Sequence, residues 1–286
     1  MQIFEFFKAI LLGIIEGITE WLPVSSTGHM ILFDSFWSMD PVYYRGKSAF
    51  IDLFLVVIQL GAILAVIVLY RHKLNPFSRR KTPQQKKSTW DLWLKVFIGS
   101  IPCGIVGVLF EKKIKSYLFN AQVVAAMLIL YGILFIVIEN MRKKSRFSST
   151  DVLPYQTALY IGLFECLSLV PGTSRSGATI LGAVLLGCAR PAAAEFSFFL
   201  AIPAMIVASL KDILDYFQAW GFGFSSMEAG ILLTGMAVAF IVSIFAVKSL
   251  MKFVRRHDFK PFGWYRIALG AVVVILSFTP ILKVGV

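Results

Sequence analysis

Hydrophobic residues in this chain neither alternate nor recur as a stripe. They come in long blocks, at 3–22, 26–37, 50–70, 91–110, 121–139, 154–170, 176–188, 192–210, 228–247 and 262–284. A helix needs about 20 apolar residues to cross a bilayer. In lipid each backbone polar group must be bonded within its own segment, so the blocks predict helices. Two blocks, 26–37 and 176–188, are too short to cross. Each follows a polar break, Pro23-Val24-Ser25-Ser26-Thr27-Gly28-His29 in one case and Pro171-Gly172-Thr173-Ser174-Arg175-Ser176-Gly177 in the other. Polar, non-helical backbone at membrane depth persists only where protein buries it or a wet cavity receives it. Residues 3–37 and 154–188 are therefore predicted to be re-entrant hairpins. The spans are then 50–70, 91–110, 121–139, 192–210, 228–247 and 262–284.

Charge tests this topology. The loops 71–91, 140–153 and 248–261 hold 16 Lys and Arg, and the segments on the opposite side hold 7. The basic side is expected to be cytoplasmic, which puts both termini outside. Each hairpin is followed by three spans, and the two hairpins enter from opposite sides. The fold class predicted is all-α and polytopic, with two inverted-topology repeats, 1–150 and 151–286. Local matches support the repeat. Gly13-Ile14-Ile15-Glu16 parallels Gly162-Leu163-Phe164-Glu165, and twelve residues after each glutamate stands a glycine, Gly28 or Gly177. Inverted repeats place a site at the midplane, where broken helices from both halves meet.

Composition agrees. Hydrophobic residues make up 58% of the chain and charged residues 15%, with mean hydropathy +0.77, which excludes an ordinary soluble domain. The net charge of +12 sits in short loops without a basic, aromatic-lined groove, so it indicates topology and anionic lipid, not nucleic acid. Cys103, Cys166 and Cys188 lie inside apolar blocks, without metal-ligand or disulfide spacing. The first block carries Glu5, Lys8, Glu16 and Glu20 and does not read as a cleaved signal.

Candidate chemistry gathers at the breaks. Glu16 and Glu20, at i and i+4, share a helix face. Two carboxylates there call for a divalent metal, an arginine or a proton. Ser25, Ser26 and Thr27 offer three hydroxyls before Gly28. One is expected to cap the following helix, whose free N–H groups also suit phosphate. His29 is a packed histidine on the plainer reading and an acid or base on the sharper one. Arg175, between Ser174 and Ser176 and beside Gly172, Thr173 and Gly177, has the fork that matches phosphate. Together these residues point to an anionic, phosphate-bearing, lipid-embedded ligand.

The segment Glu16-Gly17-Ile18-Thr19-Glu20-Trp21-Leu22-Pro23-Val24-Ser25-Ser26-Thr27-Gly28-His29 resembles the first signature of the undecaprenyl-diphosphatase family, also called the bacitracin-resistance proteins. Pro171 to Thr179 resembles the second, and residues 58–66 and 195–203 are similar to further family segments. The resemblance covers essentially the whole chain. It implies a bacterial inner-membrane enzyme that converts undecaprenyl diphosphate to undecaprenyl phosphate and inorganic phosphate, recycling the cell-wall lipid carrier. Bacitracin resistance would follow, because the drug is thought to sequester the same lipid. It also implies a divalent cation, Mg2+ or Ca2+, and a site open to the outer side. Carried over, Glu16 and Glu20 would hold metal and diphosphate, Glu20 also serving as base. Ser26 would be the nucleophile, or would position a water, with Ser25, Thr27 and Gly28 close by. His29 would be the acid/base. Arg175 would clamp the phosphates with Gly172, Thr173, Ser174 and Ser176. The expected partners are the polyprenyl diphosphate and the bilayer, with a homodimer left open. A membrane phosphatase of the phosphatidic-acid type is excluded, since its nucleophilic histidine should follow the Ser-Arg pair, and here only His257 follows, in a basic loop. A transporter that flips undecaprenyl phosphate through the same site stands as the alternative.

Overall fold

The computed structural model describes residues 2–44, 48–141 and 144–279. The described chain is helical throughout: α1 (Gln2–Thr19), α2 (Ser26–Trp37), α3 (Ser48–Leu69), α4 (Arg71–Leu74), α5 (Pro83–Leu118), α6 (Ala121–Asn140), α7 (Tyr155–Cys166), α8 (Arg175–Leu185), α9 (Arg190–Trp220), α10 (Ser226–Val254) and α11 (Lys260–Ser277). Among the described residues, six helices are long and apolar enough to cross a membrane: α3, α5, α6, α9, α10 and α11. The protein is thus an all-α polytopic membrane protein.

Several helices outrun the apolar blocks. The 91–110 block lies within α5, which runs from Pro83 to Leu118. Its polar flanks are rich in Lys and Gln, which favour helix as much as Leu does. Asn120 then starts α6, accepting the Val123 N–H at 2.9 Å. Helix α9 continues to Trp220, where Ile213, Tyr216 and Phe217 still pack on a core cluster. Helix α10 begins at a capping box, Ser225 with Glu228, and runs on through buried Leu250 and Val254. Helix α11 stops at Ser277. Residues 280–284 of the last predicted span, and both chain ends, lie outside the described residues.

Glycines let helices cross closely. A methyl at Gly162 of α7 would collide with the Gly99 carbonyl of α5. At Gly13 of α1 it would meet the Gly235 carbonyl of α10 at 2.8 Å, and at Gly132 of α6 the Gly263 carbonyl of α11 at 2.7 Å. In hydrocarbon, helices are held by such close packing, because lipid is as apolar as the side chains it would exclude. Ion pairs hold the helix ends. Arg190 of α9 forks onto Glu139 of α6 at 2.9 and 2.5 Å, and Glu139 also accepts the Phe259 N–H at 3.0 Å. Lys73 of α4 pairs with Glu195 of α9.

Candidate active site

The pairs α1–α2 and α7–α8 are each interrupted by a non-helical break. Helix α1 ends at Thr19, and α2 begins after its cap, Ser25, whose Oγ accepts the Gly28 N–H at 3.3 Å. In the other hairpin a single 3-10 turn, Leu167–Leu169, follows α7. Helix α8 then begins after its cap, Ser174, whose Oγ accepts the Gly177 N–H at 3.1 Å. Both serines hold positive φ, 75° and 70°, and they are the only described non-glycine residues that do. Such a conformation costs about 1–3 kcal/mol for a residue with a Cβ. Ser25 is the cap that the hydroxyl triplet was expected to supply.

The breaks face each other. Glu20, the residue directly after α1, is the meeting point. Its Oε1 accepts from Arg175 Nε at 3.3 Å and Nη2 at 3.1 Å, and its Oε2 accepts from Ser26 Oγ at 3.0 Å. Side-chain exposure is 12% for Arg175 and 10% for Glu20, so the pair is largely withdrawn from water. Arg175 Nη1 also donates to the Ser197 carbonyl at 2.9 Å, and the guanidinium lies 5.8 Å from the centre of the buried Trp21 ring. Ser176 Oγ faces the Glu20 and Leu22 carbonyls at 3.0 and 3.2 Å and lies 3.2 Å from Ser174 Oγ. The structure therefore brings together Glu20, Ser26, Arg175, Ser174 and Ser176. Gly172, at φ 89°, passes so close to α6 that a methyl would meet the Val124 carbonyl at 2.6 Å. Gly28 and Thr27 sit in the first turn of α2, with Gly28 against Leu128.

A model of the family described as bacitracin resistance protein BacA matches residues 9–272. The chain belongs to that family. It is 53% identical over 277 residues to undecaprenyl-diphosphatase 1 of Clostridioides difficile, covering 97% of this chain and 98% of the relative. It is 51% identical over 282 residues to an undecaprenyl-diphosphatase of Enterococcus faecalis, covering 97% and 99%. An undecaprenyl-diphosphatase of Acetivibrio thermocellus is 54% identical over 274 residues, covering 95% and 97%.

Two further sequence-predicted candidates make no described hydrogen bond to Glu20, Ser26 or Arg175. His29 lies further along α2. Its Nδ1 is 2.7 Å from the Ser25 carbonyl and its Nε2 is 2.7 Å from the Tyr265 hydroxyl. Because a carbonyl only accepts, Nδ1 carries a proton. Nε2 then accepts from Tyr265 in the neutral ring. Glu16 is buried one turn before Glu20, and its Oε1 has no hydrogen-bond partner. The Thr173 Oγ1, also buried, has none either. Orphaned buried oxygens are costly, and a ligand that satisfied them would recover that cost.

The orphaned Glu16 oxygen is also the test of a metal. Magnesium takes oxygen donors, commonly one or two carboxylates together with substrate phosphates. Glu16 and Glu20 on one helix face fit that donor set. Among the described residues no three His, Cys, Asp or Glu side chains gather as a cation site. Glu16 and Glu20 would offer carboxylates to a cation that also met the substrate phosphates.

Helix α11 contributes two residues that sequence reasoning passed over. Arg266 is fully buried. It donates to Pro23 O at 3.3 Å in one break and to Gly172 O at 2.9 Å and Thr173 O at 3.0 Å in the other. Its guanidinium is 5.5 Å from the centre of the Tyr131 ring, and its neighbour Tyr265 holds His29. Arg266 thus staples the two breaks through their carbonyls. A hint was present in the sequence, since a charged side chain inside an apolar block demands a partner. Its partners, being backbone carbonyls, have no residue signature.

Proposed function

We infer that this chain is an integral-membrane undecaprenyl-diphosphate phosphatase. It hydrolyses undecaprenyl diphosphate to undecaprenyl phosphate and inorganic phosphate, recycling the lipid carrier of cell-wall synthesis and conferring bacitracin resistance. The observation that carries the reading at this site is the double engagement of Glu20. One oxygen takes the Ser26 hydroxyl and the other takes Arg175, from opposite breaks.

The roles follow from that geometry. Glu20 accepts the Ser26 proton as Ser26 Oγ attacks the terminal phosphorus. The bond from phosphorus to the bridging oxygen breaks, and undecaprenyl phosphate leaves with the electron pair. Water then attacks the phosphoserine, inorganic phosphate departs, and Ser26 regains its proton. Arg175 exchanges Glu20 for phosphoryl oxygens and neutralises the charge that grows on them, worth about 3 kcal/mol. The N–H groups opening α2 and α8, with Ser174, Ser176 and Thr173, receive the remaining phosphate oxygens. His29, held between the Ser25 carbonyl and the Tyr265 hydroxyl, would serve as the acid/base nearest the nucleophile's break. A divalent cation held by Glu16 and Glu20 would supply further charge neutralisation on the diphosphate.

The architecture behind this is an inverted repeat, 1–150 with 151–286. Helix contacts exchange between the halves in support of it. Helix α1 packs on α10 where its counterpart α7 packs on α5, and α6 packs on α11, the two being counterparts of each other. The basic loops lie in the cytoplasm, the termini lie outside, and the site opens outward. The same exchange of contacts favours one second reading, a flippase for undecaprenyl phosphate.

The deciding experiment is release of inorganic phosphate from a polyprenyl diphosphate by purified protein in detergent, with and without chelator, beside Ser26→Ala. Metal-dependent release that the variant loses supports the scheme. Release kept by Ser26→Ala moves the attack to water. No release from folded wild-type protein, in a medium where transport has no meaning, sinks the hydrolase and leaves the flippase.

A further inference from the structure

Away from the Glu20 cluster, the ends of α3 and α10 enclose a notch of about 440 Å³, lined by Leu69, Tyr70, Val247, Met251 and four cations, Lys248, Lys252, Arg255 and Arg256. Ser243 of α10 touches the Gly17 carbonyl, which fixes where α10 passes the catalytic hairpin. Lys252 lies nine residues further on, about 14 Å along the helix. The notch is therefore a separate feature.

Three observations say what it takes. The first is sequence on a surface: Ile241, Phe245, Lys248 and Lys252 follow one another at helical spacing on one exposed face of α10. On α3, which packs on α10, Leu64 and Val68 are exposed at i and i+4, followed by exposed Arg71 and His72. On each helix an exposed apolar row thus leads into cations. The second is charge. Among the described residues, no carboxylate hydrogen-bonds or ion-pairs with Lys248, Lys252, Arg255 or Arg256. The nearby acids are engaged elsewhere, Glu195 by Lys73 and Asp258 by Lys260. The third is shape. Leu69, Val247 and Met251 give the notch an apolar wall, while the Tyr70 side chain offers a hydroxyl. Basic pockets between membrane helices at the lipid–water boundary bind anionic headgroups.

We propose that this notch is a binding site for a lipid bearing an anionic phosphate headgroup. The phosphate lies among Lys248, Lys252, Arg255 and Arg256, and the chain runs up along Phe245, Ile241, Leu64 and Val68. Bulk anionic phospholipid and a polyprenyl monophosphate share this chemistry. The site is independent of the phosphatase assignment.

Native mass spectrometry of the purified full-length protein tests it, with phosphatidylglycerol, phosphatidylcholine and farnesyl monophosphate as probes. The expected result is preference for phosphatidylglycerol or the monophosphate over phosphatidylcholine. The combined variant Lys248→Gln, Lys252→Gln, Arg256→Gln should weaken that binding about a hundredfold, from about one kcal/mol per lost cation. Its phosphate release should be unchanged. Binding of phosphatidylglycerol identifies bulk lipid as the source, and binding of the monophosphate alone identifies polyprenyl lipid. Equal uptake of phosphatidylcholine, or binding unchanged in the variant, overturns the proposal. So does displacement by millimolar inorganic phosphate, which would mark a soluble-anion site. Should the combined variant not fold, Phe245→Gln, at a position 66% exposed, reads the same site. It should weaken lipid binding and leave the melting temperature in place, and unaltered lipid binding there also overturns the proposal.

Discussion

The two breaks are alike in backbone and unlike in chemistry. Ser25 and Ser174 hold nearly the same φ, cap their helices through the same i to i+3 bond to a glycine N–H, and stand at matching points of the two hairpins. The residues that follow the caps differ, Ser26 in one and Arg175 in the other. The matched acids are alike, since Glu16 and Glu165 are both buried with an unbonded carboxylate oxygen. The difference lies four residues on, where Glu20 accepts three hydrogen bonds and the second half has Leu169. The lesson is that the backbone builds two cradles and a division of labour builds one site. The hydroxyl and carboxylate come from one half, and the cation comes from the other.

If that division holds, the halves respond unequally to substitution. The largest effect is expected at Arg175→Ala, which removes the one cation that touches Glu20 among the described residues. Turnover should fall at least about a hundredfold at temperatures where the protein is still folded, alongside some loss of melting temperature from the stranded Glu20 carboxylate. Near-normal phosphate release would break the assignment. Glu20→Gln comes next. It keeps the shape but loses the base, and a drop of about a hundredfold in kcat is expected. A change confined to KM would make Glu20 a binding group only. Arg266→Met should lower the thermal midpoint and activity together, because carbonyls in both breaks lose their donor, at about 1–3 kcal/mol each. Partial recovery in Arg266→Lys would sharpen the stapling role, and full activity with Met would dismiss it. The smallest effect is expected at Glu165→Gln. Phosphate release should stay within about twofold, with a modest rise in melting temperature, since an unbonded buried carboxylate is replaced by an uncharged group. A loss as deep as that of Glu20→Gln would mean the second cradle is also catalytic.

Much of this was legible in the chain because lipid imposes simple bookkeeping. Block length identified the six spans, and polar breaks could only be interior. Matching Glu-to-Gly spacing correctly paired the two caps. That Ser26, Glu20 and Arg175 gather was foreshadowed because hydroxyls and charges are conspicuous among apolar neighbours. Helix ends were less legible. The run of α5 through Lys86, Lys87 and Lys113 follows helix propensity, not hydropathy. The role of α11 was legible only as a lone charge in an apolar block, without its partners. Arg266 acts on the carbonyls of Pro23, Gly172 and Thr173, and a carbonyl is the same in every residue. His29 illustrates the reverse limit. Its type was noticed, but its tie to Tyr265 spans 236 positions and depends wholly on packing.

The glycine crossings carry a consequence for where chemistry happens. Gly162 rests on the Gly99 carbonyl, and Gly13 faces the Gly235 carbonyl beside Val238, so both α7 and α1 are seated against main chain. They act as fixed gauges. The level of Glu20, Ser26 and Arg175 relative to the long helices is then set by protein against protein, and not by the lipid around them.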